Sequence, residues 1–199
     1  MQALDPARLE PLIGPERMAG FEATAELAQQ ALAGRAVLNV NSTAAGGGVA
    51  EMLQTLLAYV RGAGVDARWL VIQGDPDFFA VTKRVHNGLY GSPGDGGPLG
   101  PAERSSYERT LERNASELQA LVRPGDLVLL HDPQTAGLAA SLQRAGAHVV
   151  WRCHVGRDEP NDWTERAWSF LRGYLEDVDG YVFSRRPLPH RGPIRGART

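Results

Sequence analysis

Apolar residues along this chain fall into two kinds of pattern, and the two kinds alternate. The first is a short apolar run that ends near polar or turn-forming residues, and it occurs at 37–40, 69–72, 127–130, 149–151 and 181–183. Runs without regular polar alternation are typical of strands that are buried on both faces of a parallel sheet. The five runs therefore predict five strands.

The second kind is an apolar stripe at helical spacing, and each stripe predicts one amphipathic helix. The members are Val49, Met52, Leu53, Leu56, Leu57 and Val60 in the first stripe, Tyr107, Leu111, Ala115, Leu118 and Val122 in the second, and Trp163, Ala167, Phe170, Leu171 and Tyr174 in the third. Asp132 followed by Pro133 predicts a further helix start. An aspartate side chain can accept from the free amides of a first turn, and proline needs no hydrogen-bond acceptor there.

Strands that alternate with helices predict right-handed βαβ units. We therefore expect an α/β protein with a Rossmann-like open parallel sheet flanked by helices. The chain has 199 residues, of which 43% are hydrophobic, and this suffices for one sizeable core. We divide it into an N-terminal helical segment at 1–35, the Rossmann-like domain at 36–184 and a basic, Pro/Gly-rich tail at 185–199. The tail has almost no apolar residues, so we expect it to be disordered.

Composition and charge exclude several classes of function. The net charge is −2 and the basic residues are spread along the chain, so no footprint for nucleic acid is present. No run of about 18 apolar residues occurs, and the first residues lack a signal-peptide pattern, so we expect no membrane association and a cytoplasmic location. Cys153 is the only cysteine and cannot form an internal disulfide, which agrees with that location.

Polar segments follow four of the predicted strands. They read NSTAAGGGVAE, QGDPDFFAVTKRVHN, HDPQTAG and RCHVGRDEPND in chain order. The carboxyl ends of parallel strands meet at one edge of the sheet, where ligands of open α/β folds bind. The glycine loop in the first segment offers free amides near a helix N-terminus, which favours a phosphate or another anion. It matches neither the Walker A pattern nor G-x-G-x-x-G, and tight packing of strand on helix is the alternative explanation.

Histidines end two neighbouring predicted strands, with Asp132 directly after the first of them. His131 and His154 could each donate to a hydroxyl or phosphate, or exchange a proton near neutral pH. One such histidine alone would be structural more often than functional, but a pair on adjacent loops favours function. We expect no metal site, because Cys153 and His154 point to opposite faces if the strand continues. The segment VTKRVHN is either a solvated helix face or a cover over the cleft.

Several segments, in this order, resemble the trehalose synthases of the glycosyltransferring type. They are VLNVNSTAAGGGVAEML, WLVIQGDPDFFAVTKRVHNGLYG, VLLHDPQTAGL, WRCHVGRDEPN and FLRGYLEDVDGYVFS, and they cover residues 36–184. These enzymes are retaining glycosyltransferases of family 4 with the two-domain GT-B fold. The resemblance implies that the chain corresponds to the N-terminal half of such an enzyme. It implies transfer of glucose from a nucleoside-diphosphate glucose to free glucose, giving α,α-trehalose without a cofactor or an essential metal.

The resemblance also implies roles for individual residues. The donor-phosphate loop would be formed by Gly46, Gly47, Gly48 and Val49. The acceptor sugar would contact Asp75, Lys83, His86, Asn87 and Arg152. The catalytic contacts would come from His154, Asp132 and His131, with His154 helping to orient the transferring sugar. In front-face displacement the leaving phosphate takes the acceptor proton, so the lack of an obvious nucleophile does not count against the reaction.

Two departures from the family pattern change what we expect. The family usually has an aspartate two residues after the histidine of the fourth segment, whereas this chain has Gly156 there and Asp158 two positions later. The resemblance fades at Arg185, and we expect the C-terminal donor-binding domain to be absent and synthase activity to be negligible. A homodimer is possible. Two other classes stay open: a non-catalytic sugar- or nucleotide-binding module, and a dinucleotide-dependent oxidoreductase suggested by the glycine loop and Asp75.

Overall fold

Strands and helices alternate along residues 1–184, the part of the chain that the computed structural model describes. The helices are α1 (Glu10–Ile13), α2 (Pro15–Ala31), α3 (Gly48–Gly62), α4 (Pro76–Leu89), α5 (Pro101–Gln119), α6 (Ala139–Arg144) and α7 (Asp162–Leu175). The strands are β1 (Val37–Asn41), β2 (Ala67–Val71), β3 (Leu127–His131), β4 (His148–Cys153) and β5 (Gly180–Phe183). Two short 3₁₀ turns occur at Pro6–Leu9 and Ala136–Leu138. The tail predicted to be disordered, 185–199, lies outside the described residues.

The five strands form one parallel sheet in the order β2-β1-β3-β4-β5. The predicted open parallel sheet of an α/β protein is therefore confirmed. From β1 the chain first moves outward to β2 and then returns to place β3 on the opposite side of β1. Such a reversal opens a crevice at the carboxyl ends of the two strands, and ligands of doubly wound folds bind in this crevice.

The two faces of the sheet are covered unequally. One face carries the main core, and its central side chains Leu38, Val40, Val128, Leu130, Val149 and Trp151 are at most 1% exposed. Helices α4, α5, α6 and α7 pack on this face. The opposite face is covered over β1 and β2 by α3, whose Leu53 and Leu57 pack against Ala67. Burying a side chain of this size stabilises the fold by about 1.5–3 kcal/mol, so the larger cluster dominates stability.

The three predicted helical stripes lie in α3, α5 and α7. The predicted helix start at Asp132 is wrong. Asp132 has a φ of +63°, and the next helical turn begins only at Ala136, after Thr135. Its carboxylate accepts from the backbone N–H of His154 on the neighbouring strand end, at 2.7 Å. The Asp132 carboxylate therefore forms a long-range hydrogen bond and does not cap a helix.

Helix α4 packs on the main core and connects the loop after β2 with the start of α7. It begins after β2 at its cap residue Asp75, and its far end is held by a hydrogen bond from Asn161, the cap residue of α7, to the carbonyl of Gly91. Its 14 residues span about 21 Å, enough to cross the three strand spacings of about 14 Å between β2 and β4. Close packing on α7 requires a glycine, because a Cβ at Gly88 would lie 2.9 Å from the Cβ of Ala167.

The N-terminal segment packs beside α3. The backbone N–H of Leu4 donates to the carbonyl of Ala58, and the side chain of Gln29 donates to the carbonyl of Ala63. Leu12 and Leu27 on this segment are largely exposed. Among residues 1–184, no helix has the length and apolar character that crossing a membrane requires.

Candidate functional site

Three hydrogen-bonded polar side chains lie beside the crevice: Asn39 in the middle of β1, His131 at the end of β3 and His154 directly after β4. Asn39 Oδ1 is 3.0 Å from His131 Nε2, and His131 Nδ1 is 3.0 Å from His154 Nε2. The two imidazole rings are stacked, with their centroids 5.3 Å apart. The sheet creates this arrangement, because β3 lies between β1 and β4 and His131 is the last residue of its strand.

Both histidines are held neutral near pH 7. Burial, together with the neighbouring His154 and Arg152, lowers the pKa of His131 to about 3. Burial, with the charge of Arg152, lowers the pKa of His154 to about 4. A neutral imidazole has one N–H donor and one acceptor nitrogen. The pair can therefore accept or donate a hydrogen bond, but it does not act as a fixed cation.

Asp132 joins the histidine pair to the backbone of β4. Besides the bond from its carboxylate to His154 N, its own N–H donates to the carbonyl of Arg152 at 2.8 Å, and its carbonyl accepts from Trp151 Nε1 at 3.0 Å. Burial raises the pKa of Asp132 to about 6, against the lowering effect of the His154 N–H and of Arg152. A non-glycine residue at positive φ is strained, and such strain collects at functional sites.

Arg152 supplies the positive charge of this cluster. It pairs in the sheet with His131 on one side and with Val182 on the other. Its Nε is buried and has no hydrogen-bond partner among residues 1–184. A buried donor without a partner is costly, and a ligand that accepts a hydrogen bond would relieve that cost. Arg152 can therefore bind a hydroxyl oxygen or an anion.

The glycine loop leaves the neighbouring strand β1 in a defined direction. Asn41, the last residue of β1, accepts from Trp69 Nε1 and donates to the carbonyl of Thr43, each at 2.8 Å. Gly46 and Gly47 then have φ of +74° and +109°. Only glycine adopts the second of these angles readily, so the backbone here is one that other residues could not easily supply.

The loop presents free backbone amides to solvent. Glycines 46–48 are exposed, and a Cβ added at any of them would have no neighbour within 4 Å. Helix α3 begins at Gly48 and no side chain caps it, so the amides of its first turn, including that of Val49, have no partner within the helix. The side chain of Val49 itself packs against the cluster under α3. The loop can therefore bind an anion through its backbone.

The other predicted sugar contacts lie on α4, and no hydrogen bond or ion pair within residues 1–184 joins them to the histidine pair. Lys83 is exposed. His86 is half-buried, its ring lies against Tyr90, and burial followed by the charge of Lys83 lowers its pKa. Asn87 lies against the loop at Gly94. These three side chains lie on α4, apart from the cluster.

Asp75 already has a structural partner. Its carboxylate accepts from Phe78 N at 2.8 Å and caps α4. It also lines a separate open cleft of about 250 Å³ with Gln73, Arg113 and Asn114. Asn114 holds this edge by donating to and accepting from the backbone of Gln73, each at 2.8 Å. The structure therefore groups Asp75 with this cleft.

Asn39 is the polar member of the cluster that the strand pattern did not single out. It is 4% exposed and lies within a run that is otherwise apolar. This polar residue in an apolar run was the feature of the sequence that could have indicated its role, because an amide in a strand buried on both faces needs a hydrogen-bond partner. The pattern along one strand does not identify the partner, His131, which is 92 residues further along the chain.

The five-stranded parallel sheet and its flanking helices define a Rossmann-like domain of the GT-B kind. A crystal structure of an α,α-trehalose-phosphate synthase (UDP-forming) from Burkholderia vietnamiensis has this fold over 76% of the chain and 41% of its own length. The TM-score is 0.56 and the sequence identity is 18%, so this likeness concerns the fold alone.

A family model described as the N-terminal domain of trehalose synthase matches residues 39–188, and the chain belongs to this family. The trehalose synthase of Pyrococcus horikoshii is 37% identical over 172 residues, which are 86% of the chain and 39% of the archaeal protein. That of Rubrobacter xylanophilus is 37% identical over 158 residues, 78% of the chain and 36% of its own length. The resemblance drawn from the sequence is confirmed, and the chain spans less than half the length of these relatives.

Proposed function

We propose that the chain is the acceptor-side domain of a retaining hexosyltransferase that forms α,α-trehalose from a nucleoside-diphosphate glucose and free glucose. Membership of the trehalose synthase family supports this reaction class. The feature that carries the proposal is the cluster of His131, His154, Asp132 and Arg152 at the switch point of the sheet. Its neutral imidazoles and its cation match the hydroxyl groups of a sugar better than they match a flat apolar ligand.

Each wall of the crevice has a distinct part in the proposed reaction. The glycine loop, Gly46, Gly47, Gly48 and Val49, binds the diphosphate through its free amides. His154 orients the transferring glucose, with His131 and Asp132 holding it in place. Arg152 and three residues of α4, Lys83, His86 and Asn87, contact the acceptor glucose. Asp75, the cap residue of α4, contacts it from the neighbouring cleft.

The proposed displacement occurs on one face of the glucose ring. The bond from the anomeric carbon to the diphosphate oxygen breaks, and a bond from that carbon to an acceptor hydroxyl oxygen forms on the same face. The hydroxyl proton moves to the leaving diphosphate, so no protein nucleophile and no metal takes part. Catalysis then depends on positioning and on stabilisation of the departing charge, the two tasks for which amides and neutral donors are suited.

We propose further that the 199 residues alone turn over substrate negligibly. The glycine loop has open space around all three glycines, so the described residues leave the proposed diphosphate site in contact with water. Transfer to a sugar rather than to water requires a closed, dry site. The trehalose synthase relatives are more than twice as long as the part that this chain matches.

The test compares this chain with a chimera in which it is joined to the remainder of the Pyrococcus horikoshii trehalose synthase. Trehalose is measured from glucose with the ADP, UDP and GDP forms of the donor. We expect product from the chimera and none from the chain alone. In the chimera, His154→Gln should reduce the rate by about 10²-fold, as loss of one aimed hydrogen-bonding group does. His148→Gln is the matched control, because His148 is exposed at the opposite end of the same strand. A folded chimera that makes no trehalose from any donor would refute the assignment.

The chain matches less than half the length of its relatives, and this also suits a second candidate function, a sugar- or nucleotide-binding module without catalysis. Calorimetry on the chain with glucose, trehalose and the three donors separates the two. Measurable affinity, together with a folded but inactive chimera, would favour the binding module. The cytoplasmic location, the homodimer and the lack of a cofactor stay predictions.

A further inference from the structure

Asn39 is a buried amide that the proposed reaction does not use. It lies in the middle of β1, and its neighbours in the sheet register are Trp69 on β2 and Leu129 on β3. A buried amide without a partner destabilises a fold by about 1–3 kcal/mol, so a polar residue in this apolar setting needs a reason. Its one side-chain hydrogen bond within residues 1–184 is to His131 Nε2.

The bond from Asn39 determines which nitrogen of His131 carries the proton. Because Asn39 Oδ1 only accepts, His131 Nε2 must be the protonated donor. In a neutral ring, Nδ1 of His131 is then an acceptor, and it must accept from His154 Nε2. His154 Nε2 therefore carries the proton of its own ring. The remaining nitrogen, His154 Nδ1, is left without a proton, and no described residue within 1–184 hydrogen-bonds to it.

We propose that Asn39 is a positioning residue that fixes the tautomers of His131 and His154, so that His154 presents an acceptor nitrogen to the crevice. The three side chains are coupled: if the hydrogen bond between Asn39 and His131 changed direction, the bond between His131 and His154 would change direction as well. A donor in place of the Asn39 oxygen would give the opposite order, with His154 Nδ1 as a donor.

The groups that face the pair favour this order. The backbone N–H of His154 is bonded to Asp132, which holds the second ring where it meets the first. Arg152 beside both rings opposes a positive charge on either one. A doubly protonated ring would donate at both nitrogens and break the chain, so the low pKa values of both histidines keep the order intact at neutral pH.

The consequence for binding rests on the proposed function. An acceptor nitrogen on His154 selects a ligand group that donates, which in a sugar is a hydroxyl, and it repels the oxygen of a phosphate or carboxylate. The anion-binding elements of the site are then the glycine loop and Arg152, while His154 accepts only a hydroxyl. Asn39 lies two strands away from His154 and does not touch the ligand. It would nevertheless determine that His154 binds a hydroxyl group and not an anion.

The first test is the nitrogen NMR spectrum of the histidine rings in the 199-residue chain at pH 7, without substrate. The chain has five histidines, so the spectrum is small, and single His→Gln variants assign it. A free histidine peptide in the same buffer is the reference for a ring that averages both tautomers. We expect Nε2 protonated and Nδ1 unprotonated in both His131 and His154. The opposite order, or averaged signals like those of the free histidine peptide, would overturn the proposal.

The second test uses two variants that keep the number of side-chain heavy atoms of asparagine. Asn39→Asp keeps an acceptor that cannot donate, so both rings should keep the wild-type order, and the pKa of His131 should rise because a carboxylate now faces it. Asn39→Leu removes the acceptor, so Nδ1 of both rings should become protonated in part or wholly. A leucine variant with the wild-type spectrum would show that Asn39 does not set the tautomers. If the leucine variant does not fold, the wild-type and aspartate spectra still decide between the two orders.

The test is independent of the trehalose assay. A wild-type spectrum in the wrong order refutes the role of Asn39 whatever the chimera does. If the chimera is inactive but the spectra agree with the proposal, the tautomer order stands and only its use for a sugar hydroxyl fails. In an active chimera, Asn39→Asp should keep the activity of the parent at pH 7 and Asn39→Leu should lower it, with the loss appearing in kcat as well as KM.

Discussion

Tyr107→Phe tests how the loop after β3 is held in place. The hydroxyl of Tyr107 donates to the carbonyl of Pro133 at 2.7 Å and accepts from the N–H of Gly137 at 2.9 Å. The residue is fully buried, and its ring stacks on Phe78. Phenylalanine keeps the ring and its packing and removes one oxygen atom. The change therefore isolates the two hydrogen bonds that hold the segment following Asp132.

The expected loss of stability follows from the two groups that would be left without a partner. A buried carbonyl or amide without a hydrogen bond destabilises a protein by about 1–3 kcal/mol. Since the short loop can relax in part, we expect the free energy of unfolding to fall by about 2–4 kcal/mol for the pair. At about 2–4 °C per kcal/mol for a chain of this length, Tm should fall by about 4–16 °C.

The assay is urea unfolding of the 199-residue chain, followed by circular dichroism and by tryptophan fluorescence. Tyr174→Phe is the matched control, because its hydroxyl donates at 2.7 Å to exposed Glu108. We expect that control to lose at most about 1 kcal/mol. If both variants lose the same amount, the buried hydroxyl does not hold the loop and the reasoning is wrong.

The remaining predictions concern backbone geometry and charge. Gly88→Ala should destabilise the chain by about 1–3 kcal/mol in urea unfolding, because the added methyl group strikes the facing helix. Gly173→Ala, in a helix with open space around it, should instead stabilise it by up to about 1 kcal/mol; equal effects of the two changes would contradict the packing argument. Gly47→Ala should destabilise the chain by about 1–3 kcal/mol through its φ of +109° alone, whereas Gly48→Ala should be neutral or stabilising, and the unfolding midpoints compare them. Asp132→Asn tests the effect of burial on charge. The folded state holds this carboxyl at a pKa of about 6 against an ordinary value of 3.8, so it binds the proton more tightly than the unfolded state does. Wild-type stability should therefore fall as pH rises from about 4 to 6, and the advantage of the asparagine variant should grow over the same range by up to about 3 kcal/mol. A difference in stability between the two that does not change with pH would contradict a raised pKa.

The sequence predicts the sheet well because strand burial is a local property. Each of the five apolar runs is a strand, since a parallel sheet with covered faces requires apolar residues at successive positions. The sequence also predicts that the two histidines lie close together, because the carboxyl ends of parallel strands share one edge of the sheet. That rule brings His131 and His154 together from segments that are 23 residues apart.

The sequence does not predict which side chains of different strands form hydrogen bonds with each other, and Asp132 shows why. Its residue type and the following proline match a helix start, so local preference predicts a cap. The structure uses the same carboxylate to bind the N–H of His154 and bends the backbone to a φ of +63° to do so. Nothing in the order of residues along β3 indicates where the backbone of the next strand will lie. Asp75 is the converse case, because there the local cap does form.

Several exceptions to local rules collect at one edge of the sheet. Asn39 is an amide in a buried strand, Asp132 has a positive φ, Gly47 has a φ that only glycine adopts readily, and Arg152 has a buried donor without a partner among residues 1–184. At Asn39, Asp132 and Arg152 a substitution that follows the local rule would remove the exception, whereas at Gly47 the φ of +109° itself requires glycine. Proteins keep such exceptions where they serve a site. The crevice and the strand ends beside it are therefore where the chain departs from its local rules. Under the proposed function, Asp132→Asn should raise the free energy of unfolding at pH 7 and weaken sugar binding together.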